Sequence, residues 1–282
     1  MGATVGTGRQ GCPDEYELLV VRYGTRQTTR SDVYLNHELY REPDGPIGMD
    51  YFFWVARNGE HTVVIDTGFS EAGGANRSRT MLVQPRTAFA ELGIDPSDAP
   101  TIVVTHAHYD HIGNLGWFPQ SPIVIARAEV EFWTGRHSRN VLFHHSVEDG
   151  ELAVLADAVT RGRARLFDDA AQVADGIEVI RVGGHTPGQS MVVVNTAQGR
   201  VLLASDALHY YEEGRRRMPF MSVADLVGMY QGFDVIDSLV EGGRVNHVVS
   251  GHDPATTESL TAWAPWDTAI GGDVHVIGLI GS

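Results

Sequence analysis

The sequence has little cysteine and no long apolar run, which excludes an intramolecular disulfide and a membrane-spanning segment. Its single cysteine, Cys12, cannot form an intramolecular disulfide, so cysteine usage does not restrict the redox compartment. No apolar stretch approaches the roughly 18 residues that span a bilayer. The opening residues lack a basic segment followed by an apolar one, so we expect no secretory signal. We therefore predict a cytoplasmic protein with no membrane partner.

Positive charge is scarce as well. The chain has 21 Lys and Arg residues against 36 Asp and Glu residues, a formal net charge of −15. A surface this acidic repels phosphate backbones, which argues against nucleic acid as a partner. It favours neutral or weakly charged substrates, unless a local basic patch overrules the total charge.

The pattern of apolar residues predicts alternating strands and helices. Short β-branched runs bounded by turn residues predict strands, and apolar residues at helical spacing predict helices. The predicted strands cover residues 17–23, 51–56, 61–66, 102–104, 122–126, 177–182, 191–195, 201–204 and 247–250, the last of which we expect to be the final core strand. The predicted helices cover residues 87–92, 128–134 and 151–160, and a fourth is capped by Ser222 and includes Leu226 and Leu239.

Nothing in the composition marks a linker between domains. We expect a single domain over residues 16–282, preceded by a glycine-rich and disordered N-terminal segment at 1–15. Residues 24–50 show no clean period, and compact domains rarely carry irregular segments longer than about 15 residues without a use. This segment is a candidate substrate-side loop or the arm of a homodimer, with plain surface packing as the alternative.

The densest group of chemically active side chains is His106-Ala107-His108-Tyr109-Asp110-His111, directly after the apolar run 102–104. Imidazole and carboxylate bind divalent zinc, iron or manganese, and no thiolate is present. His106 and His108 are two positions apart and can converge on one metal, while Asp110 and His111 are placed to reach a second. The alternative is a chance cluster of polar residues, but an ordinary solvent-exposed loop is not expected to concentrate side chains that bind metals in this way.

This cluster resembles the HxHxDH signature of the metallo-β-lactamase superfamily. Further motifs follow in the order expected for that superfamily, namely Asp66-Thr67-Gly68, 184–188 (GHTPG), Ser205-Asp206 and Gly251-His252. The resemblance therefore spans most of the chain. It implies an α/β fold: a four-layer αββα sandwich of two mixed β-sheets flanked by helices, which the alternation of predicted strands and helices also favours.

The resemblance implies two divalent metal ions, held by seven ligands. The first ion would be bound by His106, His108 and His185, and the second by Asp110, His111 and His252, with Asp206 bridging both. We expect zinc, with iron, manganese or cobalt as alternatives because nitrogen and oxygen ligands accept all of them. Asp66 would orient a ligand rather than bind metal.

Two such ions would lower the pKa of a bridging water so that hydroxide attacks an ester carbonyl at neutral pH. Asp110 is the candidate to carry a proton to the leaving group. The bridging aspartate that the resemblance implies at Asp206 favours the dinuclear branches of the superfamily, namely N-acyl homoserine lactonases, related lactonases and glyoxalase II. Members of the lactonase branch place a substrate-contacting tyrosine three residues after it. This chain has His209 at that position and Tyr210 next, so either is a candidate donor to the oxyanion, with ordinary packing as the alternative.

The sequence thus predicts an ester hydrolase that opens a small-molecule lactone, with N-acyl homoserine lactones as candidates for quorum quenching. Met218, Phe220 and Met221 are candidates for an apolar acyl pocket, although they suit an ordinary core equally well. The alternatives are a glyoxalase II-like thioesterase or other ester hydrolase, a flavodiiron-type oxidoreductase, and a non-catalytic metal-binding module. A glyoxalase II-like thioesterase would need basic residues near the C-terminus, and Arg244 is the last basic residue of this sequence. A flavodiiron-type oxidoreductase would need a flavin-binding domain.

Overall fold

The structure is a computed structural model that describes residues 14–258, 261–262 and 274–278. Cys12 and nearly all of the predicted disordered segment 1–15 lie outside the described residues. The expected single domain over 16–282 stays a prediction.

A nine-stranded sheet forms one of two central layers of the described chain, in the order β13-β14-β1-β2-β3-β5-β6-β7 with β4 paired to β1. Strands β3, β5, β6 and β7 run parallel and the remaining pairs are antiparallel. Its strands are β1 Glu17–Thr29, β2 Pro46–Arg57, β3 Thr62–Ile65, β4 Thr80–Met81, β5 Thr101–Val103, β6 Ile123–Ala126, β7 Ala164–Phe167, β13 Thr261–Ala262 and β14 Val274–Gly278.

A five-stranded sheet in the order β12-β11-β10-β9-β8 forms the second central layer, again counting the described residues. Strands β11 and β12 are parallel and the other pairs antiparallel, so both sheets are mixed. The strands are β8 Ala170–Ala174, β9 Ile177–Arg181, β10 Ser190–Thr196, β11 Gly199–Leu203 and β12 His247–Val249.

The described α-helices lie outside these sheets and around the strand ends. They are α1 Glu71–Asn76, α2 Pro85–Glu91, α3 Tyr109–Ile112, α4 Arg127–Thr134, α5 Val141–His144, α6 Asp149–Thr160, α7 Tyr211–Arg216, α8 Leu226–Glu241 and α9 Ala255–Glu258. None of the helices in the described ranges combines the length and the apolar character that crossing a bilayer would require.

The strands alternate their side chains between two apolar spaces, as period-2 geometry requires. In β1, Leu18 and Val20 face the space between the sheets, whereas Leu19 and Val21 face the outer side of the large sheet. A third apolar cluster lies between the small sheet and α8, where Met229 and Phe233 pack on Met191 and Leu202. Three apolar spaces separate four layers, which confirms the predicted αββα sandwich.

Three predictions about elements were wrong. Residues 24–50 are not one irregular segment, because the ladder between β1 and β2 continues to the pair Thr29 and Pro46 and leaves only 30–45 irregular. Helix α8 begins after Asp225, whose carboxylate accepts a hydrogen bond from the Val227 N–H, so Ser222 is not its cap. Strand β12 is not the final strand, because β13 and β14 follow it and extend the large sheet.

Candidate metal centre

The carboxyl ends of four strands meet at one edge of the sandwich. Strands β3 and β5 are parallel neighbours in the large sheet, and β11 and β12 are parallel neighbours in the small one. The two sheets are linked at this edge, because the Ser190 N–H donates to the Thr105 carbonyl and the Thr105 and Ser205 hydroxyls lie 2.9 Å apart. The predicted metal ligands follow these strand ends or lie on adjacent turns, with Asp110 and His111 in the short helix α3.

The predicted ligands form two groups of three, with the ligand atoms of each group within 4.8 Å of one another. The first group is His106, His108 and His185, and the second is Asp110, His111 and His252. All six side chains are buried. Two further groups of described residues meet the same distance limit: His106, His111 and Asp206, and His185, Asp206 and His209. The first two groups correspond to the division that the family resemblance implied.

Asp206 lies between the two groups. Its Oδ1 is 3.2 Å from Nε2 of both His111 and His252 in the second group. Its Oδ2 is 3.3 Å from Nε2 of His185 and 3.8 Å from Nε2 of His106 in the first. One carboxylate therefore presents one oxygen to each group.

Several buried polar atoms of the centre have no hydrogen-bond partner among the described residues. These atoms are Nε2 of His106, His111 and His252, together with Oδ1 of Asp206. Two further nitrogens, Nε2 of His185 and Nδ1 of His108, face each other at 2.9 Å. Unpaired buried polar groups are costly unless something binds them, and converging nitrogen and oxygen lone pairs suit a divalent cation. The residues present therefore fit a metal centre.

The opposite ring nitrogens hold three of the imidazoles in place. Nδ1 of His111 donates to Asp66 at 2.7 Å, as the sequence predicted for a ligand-orienting carboxylate. Nδ1 of His185 donates to the Ser222 carbonyl, and Nδ1 of His252 donates to the Asp50 carbonyl, each at 2.7 Å. Each bond leaves Nε2 as the lone-pair nitrogen that faces the centre.

Burial and neighbouring charges together set the pKa values in the centre. Burial lowers the pKa of His106 and His108 well below the ordinary value and that of His185 to about 3, which favours the neutral form that a metal ligand needs. At His111 burial is outweighed by nearby carboxylates, first Asp206, and the pKa is raised. At Asp206 burial is outweighed by the surrounding histidines, and the pKa is lowered.

Glu129 joins the two loops that carry His106, His108 and His185, and no sequence pattern indicated this role. Its fully buried carboxylate accepts hydrogen bonds from the Ala107 N–H, Trp133 Nε1, the Thr186 hydroxyl and the Gly188 N–H, at 2.7–2.9 Å. It thereby fixes the loop of His106 and His108 against the loop of His185. In sequence this glutamate looks like any acidic residue in the first turn of a surface helix.

Close backbone approach explains the glycine before His185. Gly184 has φ +87°, and a Cβ there would lie 2.6 Å from the Met229 nitrogen at the start of α8. Its carbonyl accepts the backbone N–H groups of Ala224 and Asp225. Helix α8 thus packs directly on the turn that presents His185.

A cavity of about 320 Å³ opens beside the ligands. His108, Asp110, His185, Asp206 and His252 contribute to its wall. Two of the three predicted acyl-pocket residues, Phe220 and Met221, line it as well. Met218 does not, because it is fully buried in the core on the outer face of the large sheet.

His209 and Tyr210 are buried and do not line the cavity. The Tyr210 hydroxyl donates to the Gly48 carbonyl at 3.0 Å. His209 instead contacts the carboxylate that lies between the two groups, with Nε2 3.1 Å from Asp206 Oδ2 and Nδ1 3.3 Å from Glu213. Its ring stacks on Phe220 at 3.8 Å between centroids.

Three other histidines, at positions 137, 144 and 145, do not belong to these groups of candidate metal ligands. His137 and His145 are exposed, and His144 lies 3.2 Å from Asp149. His145 nevertheless reaches the rim of the cavity.

The fold and the two ligand groups define a class of protein. The pattern that characterises the Metallo-beta-lactamase superfamily matches residues 49–250, well over half of the chain. The chain belongs to this superfamily.

Two relatives indicate the branch. An N-acyl homoserine lactonase from Bacillus sp is 29% identical over 164 residues, which cover 58% of this chain and 56% of that protein. An N-acyl homoserine lactonase from Bacillus cereus is 24% identical over 227 residues, covering 75% and 81% respectively. The match to the first of these spans little more than half of its length.

Solved structures show the same fold. An N-acyl homoserine lactone hydrolase with the product N-hexanoyl-L-homoserine at its catalytic metal centre superposes with a TM-score of 0.74 and 19% identity, covering 90% of this chain and 99% of that one. AidC, described as a dizinc quorum-quenching lactonase, superposes with a TM-score of 0.65 and 17% identity, covering 89% and 90%.

Proposed function

We propose that this protein is a dinuclear metal-dependent hydrolase that opens a lactone to a hydroxy acid. The observation that carries the proposal is the position of Asp206, whose two oxygens face two separate groups of three ligands. With a single metal ion, one of the two groups would bind no ion, and its buried nitrogen atoms would stay without a partner among the described residues.

The relatives support a lactone substrate. Both Bacillus proteins are named N-acyl homoserine lactonases, and the superposed hydrolase holds a ring-opened homoserine product at its metal centre. An N-acyl homoserine lactone is therefore the first substrate to test. Zinc is the first metal to test, because AidC is described as a dizinc enzyme and the ligands here are imidazole and carboxylate.

When bound, two divalent ions supply an activated water at neutral pH and a positive field for the carbonyl oxygen of the ester. The chain then has to place the ester and move a proton. Asp110 is the residue we assign to carry the proton to the leaving alkoxide, since its buried carboxylate lines the cavity. The Tyr23 hydroxyl donates to the Asp110 carbonyl at 2.8 Å and holds that main chain in position.

The donor to the reacting oxygen is a separate question, because the family tyrosine is replaced by His209. Tyr210 points its hydroxyl at Gly48, and His209 contacts Asp206, so their geometry gives the oxyanion role little support. Tyr51 and Tyr109 both line the cavity, and burial raises the pKa of Tyr51 to about 12. A phenol that stays protonated is a hydrogen-bond donor across the physiological range, so we assign this role to Tyr51 or Tyr109.

The acyl side of the substrate would pack on Phe220 and Met221. Met221 is half exposed at 50%, which leaves its flexible thioether free to adapt to an acyl chain. Arg26, Thr28, Asp32 and Met49 also line the cavity, which favours the substrate-side interpretation of the segment 24–50. The homodimer arm and the cytoplasmic location remain predictions.

Two measurements test the proposal. Metal analysis of the purified protein should find about two divalent ions per chain, and one or none would contradict the dinuclear centre. A pH-drop assay should then show turnover of lactones, including N-acyl homoserine lactones, that disappears after chelation and returns with zinc. Faster turnover of S-lactoylglutathione or of a β-lactam than of every lactone would instead favour a thioesterase or a lactamase.

A further inference from the structure

Three arginines line the cavity of this acidic protein: Arg26, Arg77 and Arg79. Arg77 already has partners, since it forms an ion pair with Glu148 and donates to the carbonyls of Gly73, His145 and Val147. The other two have no carboxylate within 4.0 Å among the residues that the structure describes. Within the described part of the chain, Arg79 donates hydrogen bonds only to the Tyr109 hydroxyl and the Arg77 carbonyl, and the Nε of Arg26 is buried without a hydrogen-bond partner.

The strand register explains how Arg26 and Arg79 come together. Strands β1 and β4 are antiparallel, with Gly24 opposite Met81 and Thr25 opposite Thr80. Extending this register by one residue beyond its last pair places Arg26 opposite Arg79, and both residues line the same cavity. Like charges on directly opposite positions destabilise a sheet.

The unpaired arginines are unexpected in this chain. It has 36 acidic residues against 21 basic ones, so carboxylate partners are abundant. Asp32 is the carboxylate in the cavity wall that lies outside the metal groups, and it is exposed at the rim with no ion pair to either arginine in the described part of the protein. An anionic ligand between the two guanidinium groups would remove the repulsion.

We infer that the substrate carries a second functional group, a carboxylate or phosphate oxyanion, that binds between Arg26 and Arg79. The inference rests on the proposed lactone hydrolysis and names the substrate class. Guanidinium groups suit such oxyanions because their planar fork donates two parallel hydrogen bonds. The net charge of the chain favoured a neutral substrate, and this local basic patch overrules it.

The position of the patch assigns the anion to a substituent rather than to the reacting ester. The guanidinium carbon of Arg79 is 5.9 Å from the centre of the Tyr51 ring, and that ring is 5.2 Å from the ring of His252. One aromatic side chain thus separates Arg79 from the second ligand group. An anion bound by Arg26 and Arg79 lies beside the metal ligands without replacing them.

The test compares lactones that differ only at the end of the side chain: methyl, carboxylate or phosphate. Wild-type protein should turn over one anionic form with kcat/KM at least about tenfold above the methyl form, as expected for charge-assisted hydrogen bonds. Whether carboxylate or phosphate is preferred identifies the oxyanion. The ratio should fall about tenfold in Arg26→Gln and in Arg79→Gln and be partly retained in Arg79→Lys.

Arg86→Gln is the matched control, because Arg86 is exposed on α2 and outside this cavity. Its ratio should equal that of the wild type. A wild-type preference for the methyl form, or equal ratios in all the variants, would overturn the inference. Melting temperatures and metal contents show whether each variant keeps its fold and its centre.

A binding measurement separates this inference from the proposed function. If none of the lactones is hydrolysed, the proposed function fails, and calorimetry on the zinc-loaded protein with glutarate and with glycerol phosphate still tests the arginines. Binding that is lost in the double variant R26Q/R79Q at unchanged metal content supports the site. Equal binding by wild type and double variant contradicts it.

Discussion

The carboxylate of Asp66 accepts a hydrogen bond from Nδ1 of His111 at 2.7 Å, and both side chains are buried. The same carboxylate accepts the Thr105 N–H at 2.8 Å and the Thr105 hydroxyl at 2.7 Å. Asp66 itself adopts φ 60°, a left-handed conformation that is uncommon for a residue with a side chain. The backbone after β3 thus turns so that one carboxylate binds both Thr105, which precedes His106, and the side chain of His111.

Replacing Asp66 by Asn should weaken metal binding about 10–100-fold, because an amide NH₂ cannot accept the His111 proton and the imidazole loses its fixed orientation. We also expect a loss of about 1–3 kcal/mol in the free energy of unfolding, since a buried donor is left without an acceptor. Competition with a chelator measures the first effect, and denaturant unfolding measures the second. Asp98→Asn, at an exposed position, is the control, and an Asp66→Asn protein with the metal affinity of the wild type would contradict the orienting role.

Asp206→Asn should remove more activity than Asp66→Asn, beyond about 100-fold, because it changes a ligand that both groups share. The metal content should fall from about two ions per chain towards one. The fold should survive, because the packing of the sheets does not depend on this carboxylate. The far-ultraviolet circular dichroism spectrum should therefore match that of the wild type. Two retained ions with unchanged turnover would show that Asp206 is not the bridge.

Glu129→Ala should cost about 3 kcal/mol or more of unfolding free energy, because it leaves four buried donors without their acceptor. The loss of unfolding free energy in Glu129→Gln should be smaller than in Glu129→Ala but still measurable. The glutamine amide keeps one accepting oxygen, but its NH₂ group faces N–H donors. The neighbouring Glu131→Gln serves as the control, because Glu131 is exposed on the same helix. Denaturant unfolding with and without zinc measures these costs, and equal stability of all the variants would show that Glu129 does not join the ligand loops.

Glu151 should make stability depend on pH. Burial raises its pKa from the ordinary 4.5 to about 7, and its Oε2 is buried without a partner while the Ser70 hydroxyl donates to Oε1. The folded state therefore binds this proton more tightly than the unfolded state. The contribution to stability is full below pH 4.5 and is lost as the pH rises through about 7.

Glu151→Gln should remove that dependence and leave the variant more stable than the wild type at pH 8.5, by about 1 kcal/mol after allowance for partial solvent screening. Unfolding curves at pH 5 and pH 8.5 measure the difference. Asp157→Asn, exposed on the same helix, should leave the pH dependence as in the wild type. A pH profile unchanged by Glu151→Gln would rule out this carboxyl as its source.

Local patterns were sufficient for the fold class and for choosing the imidazole and carboxylate side chains that the structure brings together. The short apolar runs of β1 and β2 mark strands because such a run depends only on neighbouring residues, and the spacing of His106, His108, Asp110 and His111 needs no tertiary information. Local signals were weaker at element ends, where Ser222 resembled a helix cap but Asp225 holds that position.

The sequence by itself determined a layered α/β fold and a set of imidazole and carboxylate ligands. Only the tertiary structure decided that Asp206 divides its oxygens between two groups, that Glu129 holds the ligand loops together, and that Arg26 and Arg79 share one cavity. These relationships join residues far apart in the chain, and their distances depend on strand register and on the packing of the two sheets. No local pattern encodes a register, so a chain that is acidic overall could still build a basic wall beside its metal ligands.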